Sequence, residues 1–411
     1  MGLLSSLRGR LNTVERASVT LGGVVLPSNL ESVHTLAVGS TGTGKSSLIN
    51  EALSTIIPRG DRAIVIDPNG QFFSRFHRTG DVVLNPFDRR SPGWSIFNEI
   101  RKDFDYDRLA RSLVPEGQGA DRSWHGYAQT LVSELLRVQM RRGDTATTEL
   151  IHRASIVPAS ELAELLADTT AAGLFQPGAE KALASTRFIL GTQLQPQKYL
   201  LAGDFSLRDW LSAGTGNLYL TWRSDMLTSL RPLVGCWVDI LLSAALSLSP
   251  SDTRRTWFVC DELAAVGQLS SLESALTLGR KHGLCVLAGL QSVAQLDRLY
   301  GRETSTVLRS CFRNLIVLGI AKTDPSTAEE MSKALGEREI DREQKSVSQG
   351  SSGTTQSASL QRVKERLVLP SEITELPDLY GYLALAGAQP IRKIRIEPCA
   401  LPVIATAFEE A

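Results

Sequence analysis

Eight consecutive residues near the start of the chain have the spacing of a phosphate-binding loop, G-x-x-x-x-G-K-S. The residues are Gly39, Ser40, Thr41, Gly42, Thr43, Gly44, Lys45 and Ser46. Glycines in such a loop let successive backbone N–H groups turn towards a phosphate, and the positive end of the following helix faces the same anion. We therefore predict that the loop binds ATP, that Lys45 contacts the β- and γ-phosphates, and that Ser46 ligates Mg²⁺.

A pair of adjacent acids follows an apolar run farther along the chain. Residues 257–260 are apolar, and Asp261 and Glu262 come directly after them. The run predicts a buried strand of a parallel sheet, which carries both carboxylates to the edge where ligands bind. Asp261 is expected to hold Mg²⁺ through water, and Glu262 to orient and deprotonate the attacking water. The alternative is that the acids cap the next helix. Two adjacent acids favour hydrolysis over a simple kinase reaction.

Two further polar residues could complete the site. Gln291 follows the apolar segment 285–290, where RecA-like ATPases have a polar residue that senses the γ-phosphate; the alternative is a cap for the next helix. Arg280 lies between Gly279 and Gly283, where it could reach the nucleotide of a neighbouring subunit as an arginine finger. The helix dipole also favours a cation at a helix end, and this alternative explains Arg280 about equally well.

The segments that would position these residues alternate between short apolar strands and helices. Strands are predicted at 33–39, 63–66, 82–84, 217–221, 256–260, 283–289 and 315–320, with helices at 46–57, 230–248, 271–281, 293–300 and 326–335. The alternation is typical of an α/β fold with a central, mostly parallel sheet flanked by helices. Together with the phosphate-binding loop and the Asp261–Glu262 pair, this pattern predicts a RecA-like P-loop NTPase.

The strand pattern stops for about a hundred residues in the middle of the chain. Amphipathic helices are predicted there at 108–113, 126–140, 147–156, 159–166 and 180–190. We predict an inserted all-alpha domain, residues 105–200, which divides the nucleotide-binding domain into residues 1–104 and 201–411. Near the end, alternating stretches at 338–346 and 359–367 predict a hairpin with a mobile tip at 349–357. Closing strands follow at 381–385 and 391–396.

Composition gives little indication of a charged partner. Lys+Arg and Asp+Glu both number 44, so the formal net charge is zero and any contact with DNA must come from local patches. The basic residues considered for such patches are Arg302, Arg309, Arg313, Arg338, Arg342, Lys345, Arg362, Lys364 and Arg366. Acids are interleaved with them, so a solvated charged surface is the stronger alternative. The five cysteines have no metal-ligand spacing.

No stretch approaches the length of apolar sequence that a membrane-spanning helix needs. The first seven residues have no cationic segment before their apolar residues and no small-residue cleavage signature. From the sequence we therefore expect a soluble chain without a secretory signal.

The motifs, in this order and spacing, resemble the coupling-protein family of bacterial conjugation and type IV secretion, the TraD/TrwB type. The resemblance covers nearly the whole chain. It rests on residues 34–46, Arg59-Gly60-Asp61-Arg62, residues 64–68, residues 84–88, residues 258–262, Gly279-Arg280-Lys281, Leu290-Gln291-Ser292, residues 369–373 and Leu376-Pro377-Asp378-Leu379.

The resemblance implies a homo-hexameric, DNA-dependent ATPase at the cytoplasmic face of the bacterial inner membrane. Such a motor links a relaxase–DNA complex, the relaxosome, to a type IV secretion channel and binds DNA without sequence preference. Typical members begin with transmembrane helices, and this sequence departs from them because it has none.

The sequence is also compatible with other functions. The chain could be a secretion-channel ATPase that moves proteins, or an adaptor that recruits the relaxosome while ATP only switches its conformation. A GTPase is less well supported because the guanine-reading motif Asn-Lys-x-Asp is missing; residues 321–324, Ala-Lys-Thr-Asp, match it in part.

Overall fold

Short apolar segments that end at turn residues form the strands of the protein. The computed structural model describes residues 17–350 and 353–410. The strands are β1 (Val19–Leu21), β2 (Val24–Leu26), β3 (Thr35–Val38), β4 (Arg62–Pro68), β5 (Val82–Leu84), β6 (Leu218–Trp222), β7 (Thr256–Cys260), β8 (Leu284–Leu290), β9 (Asn314–Leu318), β10 (Glu337–Gly350), β11 (Gly353–Arg366), β12 (Tyr380–Ala384) and β13 (Arg392–Arg395).

Nine of these strands form one central sheet in the order β13-β12-β9-β3-β8-β7-β4-β6-β5. The seven strands from β9 to β5 in this order are parallel, whereas β12 pairs antiparallel with both β9 and β13. Every residue of β3, β7 and β8 is buried, as expected for parallel strands covered on both faces. The order places the parallel strands β3, β8 and β7 side by side, so their carboxyl ends lie next to one another at one edge of the sheet.

Helices pack on the sheet, and they also form most of the segment between β5 and β6. They are α1 (Ser28–Glu31), α2 (Lys45–Ile56), α3 (Phe73–Phe76), α4 (Phe104–Leu113), α5 (Arg122–Arg142), α6 (Thr147–Ser155), α7 (Ala159–Leu165), α8 (Glu180–Gln193), α9 (Leu207–Ala213), α10 (Leu227–Ala245), α11 (Leu272–Leu278), α12 (Val293–Tyr300), α13 (Arg302–Ser310), α14 (Pro325–Leu335) and α15 (Pro370–Thr374).

The segment predicted as an all-alpha insertion is helical between its turns, from α4 to α8. Its first helix also packs on the sheet-covering helix α10: Ser112 of α4 donates a hydrogen bond of 2.6 Å to the buried Asp239 of α10. Helix α4 therefore contributes to the packing of the nucleotide-binding part. The division into residues 1–104, 105–200 and 201–411 stays a prediction.

One described helix has the length and hydropathy of a membrane span. It covers Ser224–Ala245, and 67% of its most apolar window is buried inside the protein. Burial among the core side chains, including Trp237 and Ile240, accounts for its apolar character. The first seven residues, where no secretory signal is predicted, lie outside the described residues.

The hairpin near the carboxyl end is longer than the sequence predicts. Strands β10 and β11 pair from Glu337↔Arg366 up to Gly350↔Gly353, so the prediction that 349–357 is a loop between the strands is wrong. Ladder hydrogen bonds come from the backbone, and Ser and Thr side chains are compatible with strands. Residues 351–352 of the predicted mobile tip lie outside the described residues. The side chains of Arg342 and Lys345 also lie outside them.

Candidate nucleotide site

The predicted phosphate-binding loop connects β3 to α2 and is tied to the neighbouring strands by its first residues. The Gly39 N–H donates to Leu290 O at 3.0 Å, and the Ser40 N–H donates to Gly319 O at 2.9 Å. Gly42 and Gly44 have left-handed φ angles of 86° and 117°, which glycine adopts at little cost. The N–H groups of Thr41, Gly42 and Gly44 make no hydrogen bond to any residue that the structure describes. These three donors are therefore available to an anion.

Lys45 is folded back over the loop. Its Nζ donates to Gly39 O at 2.6 Å and to Ser40 O at 3.1 Å, and the residue is only 8% exposed. Burial lowers the pKa of Lys45, and the charges of Asp261 and Glu262 oppose this effect. The ammonium group is thus close to both acids of the site.

Ser46 and Asp261 come together although β8 separates their strands in the sheet. The Ser46 Oγ donates to Asp261 Oδ2 at 2.6 Å, while Asp261 Oδ1 is buried and has no partner among the described residues. Burial raises the pKa of Asp261, and the hydrogen bond from Ser46 and the charge of Lys45 act in the opposite direction. A hydroxyl and a carboxylate with an unused oxygen are ligands that suit Mg²⁺.

Glu262 is the second acid at the end of β7. Both of its carboxylate oxygens are buried, and neither has a hydrogen bond of normal geometry to the described residues. Burial raises the pKa of Glu262 to about 7, while Lys45, the nearby backbone N–H of Ala264 and, more weakly, the nearby amide of Gln291 lower it. The side chain does not cap the short helical turn Leu263–Val266 that follows. Its oxygens are therefore free to bind a water molecule.

Gln291 lies at the end of β8. Helix capping was the alternative role for Gln291, but the next residue, Ser292, forms this cap. The Ser292 side chain accepts a hydrogen bond from the Ala294 N–H and forms a capping box with Gln295 at the start of α12. Because Ser292 satisfies the helix end, Gln291 can line the site beside Glu262.

These side chains surround a cavity of about 240 Å³. It is lined by Thr41, Gly42, Gly44, Lys45, Ser46, Ser47, Asp261, Glu262 and Gln291. Free amide donors and an ammonium group suit phosphates, and Ser46 with Asp261 suits a cation shared with them, so the residues fit Mg²⁺ and a nucleotide. No cluster of three His, Cys, Asp or Glu side chains that could hold a metal by itself occurs in the described part of the chain. A larger cavity of about 550 Å³, near Arg111 and Tyr300, lacks a phosphate-binding loop.

Arg280 lies away from these residues. It belongs to the short helical turn Gly279–His282, which precedes β8 and therefore sits at the opposite edge of the sheet from Gln291. Its side chain is exposed and makes no hydrogen bond or ion pair with the described residues. Within one chain the structure brings Lys45, Glu262 and Gln291 together but leaves Arg280 apart.

Several of the basic residues considered for DNA contacts are paired with acids. Arg309 contacts Glu330, and at the hairpin Arg338 pairs with Glu365 at 3.0 Å. Arg366 pairs with Glu329 at 3.0 Å and Arg362 with Asp341 at 3.3 Å. These pairs favour the solvated-surface interpretation at the base of the hairpin.

Sequence reasoning missed the groups that brace the loop from outside. The Leu379 N–H donates to Thr43 O at 3.0 Å, and the Ala321 N–H donates to Ser40 Oγ at 2.8 Å. The run Leu376-Pro377-Asp378-Leu379 is visible in the sequence as a motif, but nothing in it indicates which residues it contacts.

Comparison with known proteins places these features in one family. The model of the type IV secretion-system coupling protein DNA-binding domain matches residues 18–397. The coupling protein TraD of Escherichia coli is 28% identical over 389 residues, which are 90% of this chain and 53% of TraD. The chain thus spans about half the length of this relative. The conjugal transfer protein TraG of Agrobacterium fabrum is 28% identical over 194 residues, 47% of this chain and 29% of TraG.

Solved structures of the plasmid coupling protein TrwB have the same fold. Its unbound form and its complex with ADP and Mg²⁺ each align with a TM-score of 0.90 at 43% identity, over 96% of this chain and 92% of the TrwB chain. The predicted RecA-like P-loop fold is therefore confirmed. VirB4 of Thermoanaerobacter pseudethanolicus, at 15% identity and a TM-score of 0.54, shares the fold alone.

Proposed function

Because the chain belongs to the family of type IV secretion-system coupling proteins, we propose that it is a DNA-dependent ATPase motor of bacterial conjugation. It links the relaxosome to a type IV secretion channel and drives DNA transfer. The observation that carries this proposal is the pairing of the Ser46 hydroxyl with Asp261 beside the unpartnered Glu262 carboxylate, under a loop with free N–H donors.

Each residue of the site is proposed to have its own role in ATP hydrolysis. The N–H groups of the loop and the Lys45 ammonium hold the phosphates, and Ser46 and Asp261 hold Mg²⁺, which neutralises phosphate charge. Glu262 accepts a proton from the attacking water. The Gln291 amide senses the γ-phosphate by hydrogen bonding to it. TrwB has been solved with analogues of both ATP and GTP, so we propose ATP as the nucleotide and include GTP in the test below.

Arg280 is proposed to complete the site of a neighbouring subunit. It lies at the edge of the sheet opposite its own phosphate loop, and it is exposed without a partner among the described residues. In a ring of identical subunits, which we propose to be a hexamer, such a side chain can face the nucleotide of the next copy.

DNA is proposed to bind without sequence preference, through contacts to phosphates repeated around the ring. The ring is proposed to work at the cytoplasmic face of the inner membrane. Residues 105–200 are proposed as the domain that selects the substrate and contacts the relaxase, and residues 1–104 and 201–411 as the two parts of the motor domain.

The test is ATP turnover of the purified protein with and without single-stranded and duplex DNA, together with a mass measurement that detects hexamers. We expect DNA to stimulate turnover and to shift the protein towards the hexamer. Duplex binding should weaken with salt with a log–log slope of about −0.9 per phosphate contact. GTP turnover and a second DNA sequence serve as comparisons. Turnover that is indifferent to both DNA forms would rule out the motor function.

A second candidate function is an adaptor that recruits the relaxosome while ATP only switches its conformation. The observation in its favour is an apolar groove of about 700 Å³ on the helical insertion, next to α8. Phe188, in this groove, is 78% exposed. The adaptor function predicts that Phe188→Asp weakens relaxase binding and that DNA does not change ATP turnover, whereas the motor function requires DNA-stimulated turnover whatever Phe188 contributes.

A further inference from the structure

The last part of the phosphate-binding loop is held from outside by a turn near the carboxyl end of the chain. The Leu379 N–H donates to Thr43 O at 3.0 Å, and Leu379 O in turn accepts a hydrogen bond of 2.7 Å from the Ile396 N–H. Leu379 is thus fixed between the loop and the chain just after β13. Its hydrogen bond to the loop joins backbone to backbone.

This contact determines where the next donor of the loop points. Thr43 C=O and Gly44 N–H belong to the same peptide unit, and in a trans peptide the two groups point in opposite directions. The described residues contain no cis peptide bond. Since Thr43 O faces Leu379, the Gly44 N–H faces the other way, and Gly44 lines the nucleotide cavity. This N–H makes no hydrogen bond to any described residue, so it is a donor aimed at the cavity.

Side chains of the turn lie beside Gly44 of the loop. A Cβ atom added to Gly44 would lie 3.0 Å from Leu379 Cδ2 and 3.3 Å from Ile396 Cδ1. A larger residue at position 44 would therefore crowd the turn, so a glycine suits the place where the loop meets Leu379.

The backbone of Leu379 is held in an unusual conformation. Its φ angle is 68°, and it is one of three described non-glycine residues with a positive φ. This left-handed region is unfavourable for a residue with a Cβ atom. The turn in which the Tyr380 N–H donates to Pro377 O at 3.1 Å, together with the bond from Ile396, holds it there. Because φ and ψ set the directions of a residue's N–H and C=O relative to each other, a leucine relaxed to negative φ could not keep both its bond to Thr43 and its bond from Ile396 in their present geometry.

We propose that Leu379 is a positioning residue of the nucleotide site, whose backbone N–H orients the Thr43–Gly44 peptide so that the Gly44 N–H faces a phosphate. The inference rests on the proposed function, since it requires the loop to bind a nucleotide. Loop amides contact the α- and β-phosphates, which ATP and ADP share. Loss of the Leu379 N–H therefore weakens both nucleotides alike.

The direct test replaces the amide between Asp378 and Leu379 by an ester, using the α-hydroxy analogue of leucine at position 379. The side chain is kept and the N–H donor is removed. We expect the affinity for Mg·ADP, measured by calorimetry, to fall about tenfold, with the same loss for a non-hydrolysable ATP analogue. The matched control is an ester at Val403, which is 71% exposed and whose N–H makes no hydrogen bond to the described residues. This control should bind Mg·ADP like the unchanged protein.

Two side-chain variants keep the test decisive if the ester variant does not fold. Leu379→Asn keeps the N–H, and asparagine tolerates the left-handed region, so its affinity should stay within about threefold of the unchanged protein. Leu379→Pro removes the N–H and cannot adopt the left-handed φ, so it should weaken both nucleotides, as the ester does. An ester or Pro variant that binds Mg·ADP normally, or an Asn variant that is weakened as much as the Pro variant, would overturn the role of the N–H. Failure of the unchanged protein to bind Mg·ADP would instead overturn the proposed function itself.

Discussion

The Ser46 hydroxyl donates a hydrogen bond of 2.6 Å to Asp261 Oδ2, and this contact joins the phosphate-binding loop to the end of β7 across the intervening strand β8. The carboxylate oxygens of the neighbouring Glu262 are also buried, and they have no hydrogen bond of normal geometry to the described residues. The two adjacent acids therefore have different surroundings, and we expect them to have different roles.

The first prediction separates these roles. Glu262→Gln should retain Mg·ATP but lose turnover by about 10²–10⁴-fold, because the amide cannot accept a proton from water. Asp261→Asn should instead lose the dependence of nucleotide affinity on Mg²⁺, because a charged cation ligand is removed. Nucleotide affinity with and without Mg²⁺, together with turnover, distinguishes the two variants. Near-normal turnover of Glu262→Gln would assign the base elsewhere.

The second prediction concerns Gln291 and the serine that follows it. Gln291→Ala should reduce turnover and the discrimination between ATP and ADP while leaving stability nearly unchanged, because Ser292 caps α12. Ser292→Ala is the matched control. It should lower the free energy of unfolding by about 1 kcal/mol and retain turnover per folded molecule. Denaturant unfolding and steady-state kinetics on both variants provide the measurements; the opposite pattern would make Gln291 a structural residue.

The third prediction is that Arg280 acts on the neighbouring subunit. Arg280→Ala and Lys45→Ala should each be inactive alone, since an arginine finger contributes ~10³–10⁵ to the rate and the lysine holds phosphate. In mixed rings some interfaces combine an intact loop with an intact finger, so ATP turnover should partly return on mixing. Lys281→Ala, which changes the adjacent exposed cation, is the control and should stay active. Mixed oligomers without recovered activity would show that Arg280 has no role in trans.

The fourth prediction concerns stability at low pH. His34 is buried, with its Nε2 2.9 Å from Leu276 O and its Nδ1 accepting from the Val286 N–H at 3.2 Å. Burial lowers the pKa of His34 from 6.5 to about 4. Between these values the unfolded chain binds a proton that the folded chain does not. Stability from this residue is therefore present above pH 6.5 and lost as the pH falls towards 4, by about 3 kcal/mol in total.

Denaturant unfolding at several pH values between 7 and 4 measures this loss. His34→Asn, in which asparagine tolerates the left-handed backbone of position 34 (φ 61°), should be less stable at pH 7 but lose less stability on acidification. The exposed His152 provides the control, because His152→Gln should keep the unchanged profile. An identical pH dependence in His34→Asn and the unchanged protein would contradict the prediction.

The sequence alone predicts the elements of the site because each of them is encoded locally. The phosphate-binding loop occupies eight adjacent residues, and β7 and β8 are short apolar runs that are followed directly by Asp261 and Gln291. Local spacing and burial patterns determine such elements. The parallel sheet follows from their alternation with helices, and the comparisons confirm it.

Tertiary structure alone decides which of these elements touch. The order β3-β8-β7 brings Ser46 next to Asp261. Ser292 caps α12, so Gln291 lines the cavity. Arg280 lies at the opposite edge of the sheet. The hydrogen bond from Leu379 to Thr43 joins two segments that are far apart in the sequence. Contacts of this kind depend on the order in which the strands pack into one sheet. A local pattern of residues does not predict this order, because a residue's propensity and polarity do not specify its distant neighbours.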